Sequence, residues 1–315
     1  MTPPAGSGAP TVGVVVPTHD RPQLLRETLA AVLGQELDPA EAAGLDVVVV
    51  YDRAAPDRSL EALSRPGRRV RVVVNERSPG LAGARNTGIL ALDTDWVAFC
   101  DDDDTWLPGK LRAQLARARQ HPGAPLVTTA VCVRFEDQEV PRLAGVDEVT
   151  SEQLTRSRMS MLHSSTLLLR RSALLGPLGL VDEGIPGSQN EDWDMLLRAA
   201  ALAPIPHVDQ PLVRVLWGRS SHFARQWRTR VESLTWMLQR HPAIAADQAG
   251  AARVYGQLAF GHAALGQRRD AARWAARALR RRVAEPRAFL ALAVAARLVP
   301  ADTVMAVLHR RGRGV

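Results

Sequence analysis

The stretch Trp96-Val97-Ala98-Phe99-Cys100-Asp101-Asp102-Asp103-Asp104-Thr105-Trp106-Leu107-Pro108 decides the fold of this 315-residue chain. Five apolar residues run directly into four carboxylates. The apolar half reads as a short buried strand. The acidic half cannot be comfortable at the mouth of a sheet, because like charges repel and desolvation adds to the cost. A divalent cation would relieve that repulsion. Alternate residues of a turn can aim at one point, so Asp101 and Asp103 are candidate hard-oxygen ligands for Mg²⁺ or Mn²⁺. An EF-hand is excluded, since the sixth loop position is Trp106 and the twelfth is Arg112.

Working outward, Val12 to Val16 is a continuous apolar run closed by Pro17, the pattern of a buried parallel strand. Leu24, Leu25, Thr28, Leu29, Val32 and Leu33 then recur at helical spacing, with Pro22 in the first turn where proline is tolerated. Val47 to Tyr51 and Val70 to Asn75 predict two further strands. A short helix lies between them at Leu60 to Leu63, and another follows at Ala82 to Ala91. This βαβαβαβ alternation predicts a doubly wound α/β domain with a mostly parallel sheet. Ligands bind beyond the carboxyl ends of such strands, where the chain places Pro17 to Arg21, Tyr51 to Asp57, and Asp101 to Asp104. Strands at Leu126 to Arg134 and Ser165 to Arg170 and a helix at Trp193 to Leu202 complete this half.

The resemblance is to the family 2 glycosyltransferases, which have the GT-A fold. It rests on Val14-Val15-Val16-Pro17-Thr18-His19-Asp20-Arg21, then Gly80-Leu81-Ala82-Gly83-Ala84-Arg85-Asn86-Thr87-Gly88, then Phe99 to Pro108, and Asn190-Glu191-Asp192-Trp193-Asp194. The match covers roughly residues 11 to 220, in the family's order. It implies an inverting enzyme that moves a sugar from a nucleotide-diphosphate-sugar to an acceptor hydroxyl on a glycan, a lipid-linked glycan or a small molecule. The implied nucleotide-sugar pocket takes in Pro17, Thr18, Asp20, Arg21, Asp52, Arg85, Asn86, Asp101 and Asp102. The implied metal site is Asp103 with Asp101, with His222 of Trp217-Gly218-Arg219-Ser220-Ser221-His222 as a third ligand or phosphate contact. The metal would stabilise charge on the leaving diphosphate. The resemblance makes Asp192 the general base, with Glu191 beside it; by themselves, acidic residues at a helix start are ordinary macrodipole partners. Arg85 is a candidate phosphate contact and Asn86 a brace for the acidic loop. His163 and Ser164 are candidates to face the sugar or acceptor, and Gly80, Gly83 and Gly88 to permit turns and close packing.

One departure touches specificity. Relatives usually end the second strand in Asp-Asp-Gly-Ser, and here the run is Val50-Tyr51-Asp52-Arg53. Either Tyr51 replaces the base-reading carboxylate or Asp52 has slipped into its role, which leaves uracil, thymine and guanine donors open.

From about Gln226 the text changes to Ala, Arg and Leu at helical spacing, broken at His241-Pro242, Leu265-Gly266-Gln267, Glu285-Pro286 and Val299-Pro300. From Arg225 to the end there are 17 arginines against 5 acidic residues, whereas the remainder carries 23 basic against 28 acidic. Two modules are therefore expected: 1–224 as the glycosyltransferase domain and 225–315 as a helical module with a tetratricopeptide-like passage. The basic helices offer no nucleic-acid motif and few stacking aromatics, so no nucleic acid is expected; peripheral contact with the inner face of a membrane is the partner they suit. Two cysteines without CxxC spacing, an N-terminus without a signal-peptide pattern and no long apolar run imply a cytoplasmic location. Two competing classes are a sugar nucleotidylyltransferase, whose Gly-rich loop after the first strand is missing, and a scaffold carrying a degenerate domain.

Overall fold

The computed structural model describes residues 9–37, 44–135, 138–216 and 226–310. The front of the chain runs β1 (Thr11–Thr18), α1 (Pro22–Leu33), β2 (Gly44–Tyr51), β3 (Arg68–Val74), α2 (Leu81–Ala91), β4 (Trp96–Phe99), β5 (Thr105–Trp106) and α3 (Lys110–Gln120). It continues through β6 (Leu126–Phe135), β7 (Gln138–Arg142), β8 (Glu148–Val149), α4 (Ser151–Arg156), β9 (Leu168–Arg170) and α5 (Arg171–Leu174). Then come α6 (Glu191–Leu202) and β10 (Ile205–Leu216), and the tail is helical: α7 (Trp227–Arg240), α8 (Pro242–Ala246), α9 (Gln248–Ala264), α10 (Arg268–Arg281), α11 (Pro286–Ala295) and α12 (Ala301–Arg310).

The chain divides into two compact units. The first comprises 1–150, 160–183 and 198–216; the second comprises 151–159, 184–197 and 217–315. The second unit thus takes in two segments that precede the composition break at 225, and the boundary is not a single cut.

In the first unit the strands form one sheet in the order β3-β2-β1-β4-β9-β6-β10-β5, with β7 beside β6 and β8 beside β10. The β3-β2-β1-β4 half is parallel throughout, as expected. Beyond β4 the sheet is mixed: β9 runs antiparallel to both β4 and β6, while β10 is parallel to β6. The prediction of a mostly parallel sheet therefore holds for its first half only. Val12, Val14, Val15 and Val16 are fully buried, as are Val47 to Val50, because both faces of these central strands are covered. Strand β1 pairs with β2 on one side and β4 on the other, so the chain reverses direction across the sheet there. The crevice outside the carboxyl ends of β1 and β4 is the place where such a sheet binds ligand.

Two glycines of α2 set how closely this helix sits. A Cβ on Gly88 would lie 2.3 Å from Val15 Cγ1, and one on Gly83 would lie 2.0 Å from the Ser78 carbonyl oxygen. Gly80, at φ +112°, starts the helix in a conformation that side chains rarely adopt.

In the second unit, α10 turns Ala271, Ala275 and Ala278 inward, at helical spacing, and its arginines outward. These alanines pack in one core with Ala259 and Phe260 of α9 and Ala288 and Ala291 of α11. Small side chains let the three helices approach closely, and Trp227 on Phe260 (5.4 Å between ring centroids) and Tyr255 on Trp274 (5.2 Å) fill the flanks.

Gly88→Ala should overpack α2 against β1 and cost about 1–3 kcal/mol. Gly123→Ala, where a Cβ meets nothing within 4 Å, should leave the thermal midpoint unchanged. Equal midpoints for both variants would show that α2 does not depend on that close approach.

Candidate active site

The acidic run follows β4 as a tight turn at the switch point of the sheet. Its four carboxylates are held by partners from several elements, Arg21 being shared by two of them, and these bonds give the site its geometry. The Asp102 carboxylate, buried, accepts from Thr18 Oγ1 (2.7 Å) at the end of β1, from the His19 amide (3.4 Å) and from Arg21 Nη1 (3.2 Å). The same Arg21 nitrogen donates to Asp103 Oδ2 at 2.6 Å. Arg85, 1% exposed and 5.2 Å above the Phe99 ring, donates to Asp101 Oδ1 at 2.6 Å. Asp101 Oδ2 accepts from Ser164 Oγ at 3.1 Å. Asp104 Oδ2 accepts from Ser165 Oγ (2.5 Å) and faces His163 Nδ1 at 3.2 Å. Its main-chain carbonyl accepts from Thr28 of α1 at 2.8 Å.

The electrostatics follow from these partners. Burial would raise Asp101, but the Arg85 guanidinium and His163 outweigh it and hold its carboxyl below the usual range. Burial raises Asp102 despite the Thr18 hydroxyl and Arg21. Burial, joined by the charges of Asp104 and Asp101, pushes Asp103 up to about 7, against the pull of Arg21. A divalent cation would offset that rise.

Asp101, Asp104 and His163 bring one ligand atom each to within 4.8 Å of one another. Two carboxylates and an imidazole are a donor set that suits Mn²⁺ and accepts Mg²⁺, so the residues present fit a divalent ion. Of the ligands expected, this group contains Asp101. Asp104 and His163 join Asp101, Asp103 is turned onto Arg21, and His222 lies outside the described residues.

The second polar cluster forms beyond β2. Asp52 is buried, with Oδ1 accepting from Asn75 Nδ2 (2.8 Å) and Oδ2 from the Gly80 amide (3.0 Å) and Arg53 Nε (2.9 Å). Its carbonyl meets His19 Nδ1 at 2.7 Å, which ties this loop to the turn after β1. Tyr51 is also buried, and burial raises its hydroxyl. Pro17 lies within β1, and Asp20 is exposed at φ +51°, beside His19.

Arg85 reaches the acidic loop. Asn86 instead braces the segment at 181–183: its amide donates to the Val181 carbonyl (2.9 Å) and Glu183 Oε1 (2.7 Å), and its oxygen accepts from the Val181 amide (3.0 Å). Burial opposes the ionised form of Glu183, yet donors from Ser78, Asn86 and Arg77 hold it down at about 2.

Glu191 and Asp192 belong to the second unit, at the start of α6. Ser188 and Asn190, just before them, are left-handed at φ +53° and +68°, so the backbone entering this helix is held in a sparsely populated conformation. Asn190 is pinned through Ser233 of α7 (2.8 Å). Both oxygens of Asp192 accept from the one nitrogen Arg158 Nη2 (3.0 and 2.9 Å), and Oδ1 also accepts from the Trp193 amide (2.7 Å). Asp194 is fully buried against His241 (2.8 Å).

Residues 13–175, just over half of the chain, match the family described as Glycosyl transferase family 2, and the chain belongs to it. The succinoglycan biosynthesis protein ExoO of Rhizobium meliloti (strain 1021) is 35% identical over 118 residues, 38% of this chain and 32% of that one. The UDP-Glc:alpha-D-GlcNAc-diphosphoundecaprenol beta-1,3-glucosyltransferase WfgD of Escherichia coli is 27% identical over 105 residues, 33% of this chain and 40% of that one. The chain therefore spans 32% to 40% of the length of these relatives. Among solved structures, S. aureus TarS 1-349 in complex with UDP-GlcNAc has a TM-score of 0.61 at 17% identity, covering 96% of this chain and 92% of that one. The mannosyltransferase PcManGT from Pyrobaculum calidifontis, in complex with GDP-Man and Mn²⁺, has a TM-score of 0.57 at 20% identity, covering 93% and 81%. The fold is thus GT-A, with a helical C-terminal region. Among the described residues, no helix is long and apolar enough to cross a membrane.

The raised Asp103 gives a pH test. The native state holds the proton up to about pH 7 and the unfolded chain only to about 4. The group's contribution to stability is therefore most favourable at low pH and falls as pH rises between those values. In chelator, Asp103→Asn should remove that fall and gain up to about 2 kcal/mol at pH 8, discounted for solvent screening. Added Mn²⁺ should restore the wild type more at pH 8 than at pH 5. An unchanged pH slope in the variant would contradict the assignment.

Proposed function

We propose that the chain is a metal-dependent, inverting glycosyltransferase that takes a sugar from a nucleoside-diphosphate donor to an acceptor hydroxyl. The observation that carries this is the convergence of Asp101, Asp104 and His163 at the switch point of a GT-A sheet, with Arg21 and Arg85 on the same loop. A Mg²⁺ or Mn²⁺ held there would draw off the charge that develops on the departing diphosphate. Asp101 belongs both to the expected ligand pair and to the group that the fold brings together. Asp103, now on Arg21, would exchange that guanidinium for the cation when donor arrives. Thr18 and Arg21 order the loop, and Asp52 is the candidate for the base contact. That one neighbour binds UDP-GlcNAc and another GDP-Man with Mn²⁺ supports the donor class and leaves its base open.

On the acceptor side, Asp192 is the proposed general base. Arg158 fixes the orientation of its carboxylate, and Glu191 adds negative charge beside it. A base acts from the side opposite the leaving group, which gives inversion. The tail's exposed Val283 (81%) and Leu298 (77%), flanked by Arg280 to Arg282 and Arg297, support peripheral contact with an anionic membrane.

The test is thermal stabilisation by a panel of nucleoside diphosphates and nucleotide-sugars, with Mn²⁺ and with chelator. One nucleotide should raise the midpoint, and chelator or Asp103→Ala should cancel that shift. Asp192→Asn should keep the shift and lose transfer by 10²-fold or more. Near-normal transfer by Asp192→Asn would remove Asp192 from the base role.

A further inference from the structure

The acidic loop is followed in the chain by a second group of polar side chains that the chemistry above leaves unused. Lys110, the only lysine of the chain, is fully buried at the start of α3. Its Nζ lies 3.9 Å from the centre of the Trp106 ring and donates to Gln114 Oε1 at 2.8 Å, one helical turn further on. The Gln114 amide, also fully buried, donates to the Val127 carbonyl of β6 (3.0 Å) and to the Thr166 carbonyl (2.7 Å). Trp106 Nε1 donates to the Ser165 carbonyl at 3.0 Å. Two successive main-chain carbonyls are thus bound by side chains of the segment 106–114.

The residues that receive these bonds also reach the carboxylates. Ser165 Oγ accepts from the Asp101 amide (3.0 Å) and donates to Asp104 Oδ2 (2.5 Å), Ser164 Oγ donates to Asp101 Oδ2 (3.1 Å), and His163 Nδ1 stands 3.2 Å from Asp104. Residues 163–166 are therefore held from two sides, through their side chains by the acidic loop and through their carbonyls by Trp106 and Gln114. Ser165 and Thr166 are fully buried and precede β9, so without those two donors their carbonyls would be left as unpaired buried acceptors. Lys110 sets the amide. An ammonium only donates, so it draws the Gln114 oxygen toward itself and turns the NH₂ toward the two carbonyls. Burial lowers that ammonium to about 7. A methionine would fill the same space without the desolvation, so packing alone does not account for a lysine here.

We propose that Trp106, Lys110 and Gln114 are positioning residues for the metal site, holding 163–166 so that His163 stands beside Asp101 and Asp104 as a third ligand. The inference rests on the metal reading of that group. It gives the stretch after the acidic loop a task that its apolar pattern conceals: the segment that supplies the carboxylates also supplies the donors that set the histidine opposite them. Hydrogen bonds outside the ligands orient metal sites in this way, and losing one lowers metal affinity by about tenfold or more.

The experiment is titration of the full chain with Mn²⁺, alone and with UDP or GDP, beside thermal midpoints taken in chelator. Gln114→Glu keeps the size and the acceptor for Lys110 but loses the two donors, and Trp106→Phe keeps the ring and loses one donor. Each should weaken Mn²⁺ binding by about tenfold, and Lys110→Met should weaken it in the same direction. Leu115→Ala, buried on the same helix without a bond to 163–166, should lower the midpoint and bind Mn²⁺ as wild type does. Pulsed electron paramagnetic resonance should show an imidazole nitrogen on bound Mn²⁺ in wild type and in Leu115→Ala, removed by His163→Gln and by Gln114→Glu. Should Gln114→Glu fail to fold, Trp106→Phe carries the test. Wild-type Mn²⁺ affinity in Trp106→Phe and Gln114→Glu, or an equal loss in Leu115→Ala, would overturn the inference. Its failure is distinguishable from failure of the metal reading. Mn²⁺ bound by wild type with no nitrogen coupling, or with one that survives His163→Gln, keeps the metal and removes the positioning role. No Mn²⁺ binding by wild type under any of these conditions removes both.

Discussion

Four consecutive carboxylates at the end of a buried strand are the constraint on which the first unit is organised. Left to themselves they would repel one another and lose hydration, and the loop would open. Each is instead given a counter-group: Arg85 and Ser164 for Asp101, Thr18 and Arg21 for Asp102, Arg21 again for Asp103, Ser165 and His163 for Asp104. Those partners come from the end of β1, from the segment leading into β9, from the turn after β1 and from α2. The acidic loop therefore fixes how those elements meet at the switch point. Asp103 carries the remaining imbalance, and the natural way to discharge it is a divalent cation.

Much of this was legible in the order of residues. The apolar runs at β1, β2 and β4 are buried on both faces, so their periodicity is unambiguous, and Pro17 and the aspartates mark where they stop. The close approach of Gly83 and Gly88 was also foreseen, because no catalytic role for a glycine competes with packing. What could not be read was part of the second half of the sheet, β10 and β7. Strand β10 contains Pro206 and Pro211, residues that argue against a central strand, and it accommodates Pro211 only through register shifts on either side. Strand β7 is short, polar and exposed along most of its length, so it has no apolar alternation to reveal it.

The site was legible in part for the same reason. Asp101 and Arg85 lie beside local signals, the end of a strand and the start of a helix. Asp104 and His163 are joined by β9, whose antiparallel pairing with β4 sets Leu168 opposite Ala98 and carries His163 to Ser165 over the acidic loop. No spacing within the sequence encodes that pairing. The arginines of the second unit illustrate the converse. Their abundance suggested only a basic surface suited to an anionic membrane, and burial separates them: α10 does turn its arginines outward, while Arg230 is stacked on Trp227 and Arg253 on Trp193, both desolvated.

The central claim is that the acidic loop holds a divalent ion together with a nucleoside diphosphate. It is tested most directly by titrating Mn²⁺ with the protein and following the free-ion signal by electron paramagnetic resonance. The account predicts a saturable loss of free Mn²⁺, tightened by one nucleoside diphosphate and abolished by Asp101→Asn. A free-ion signal that the protein leaves unchanged, with and without every nucleotide, would contradict it.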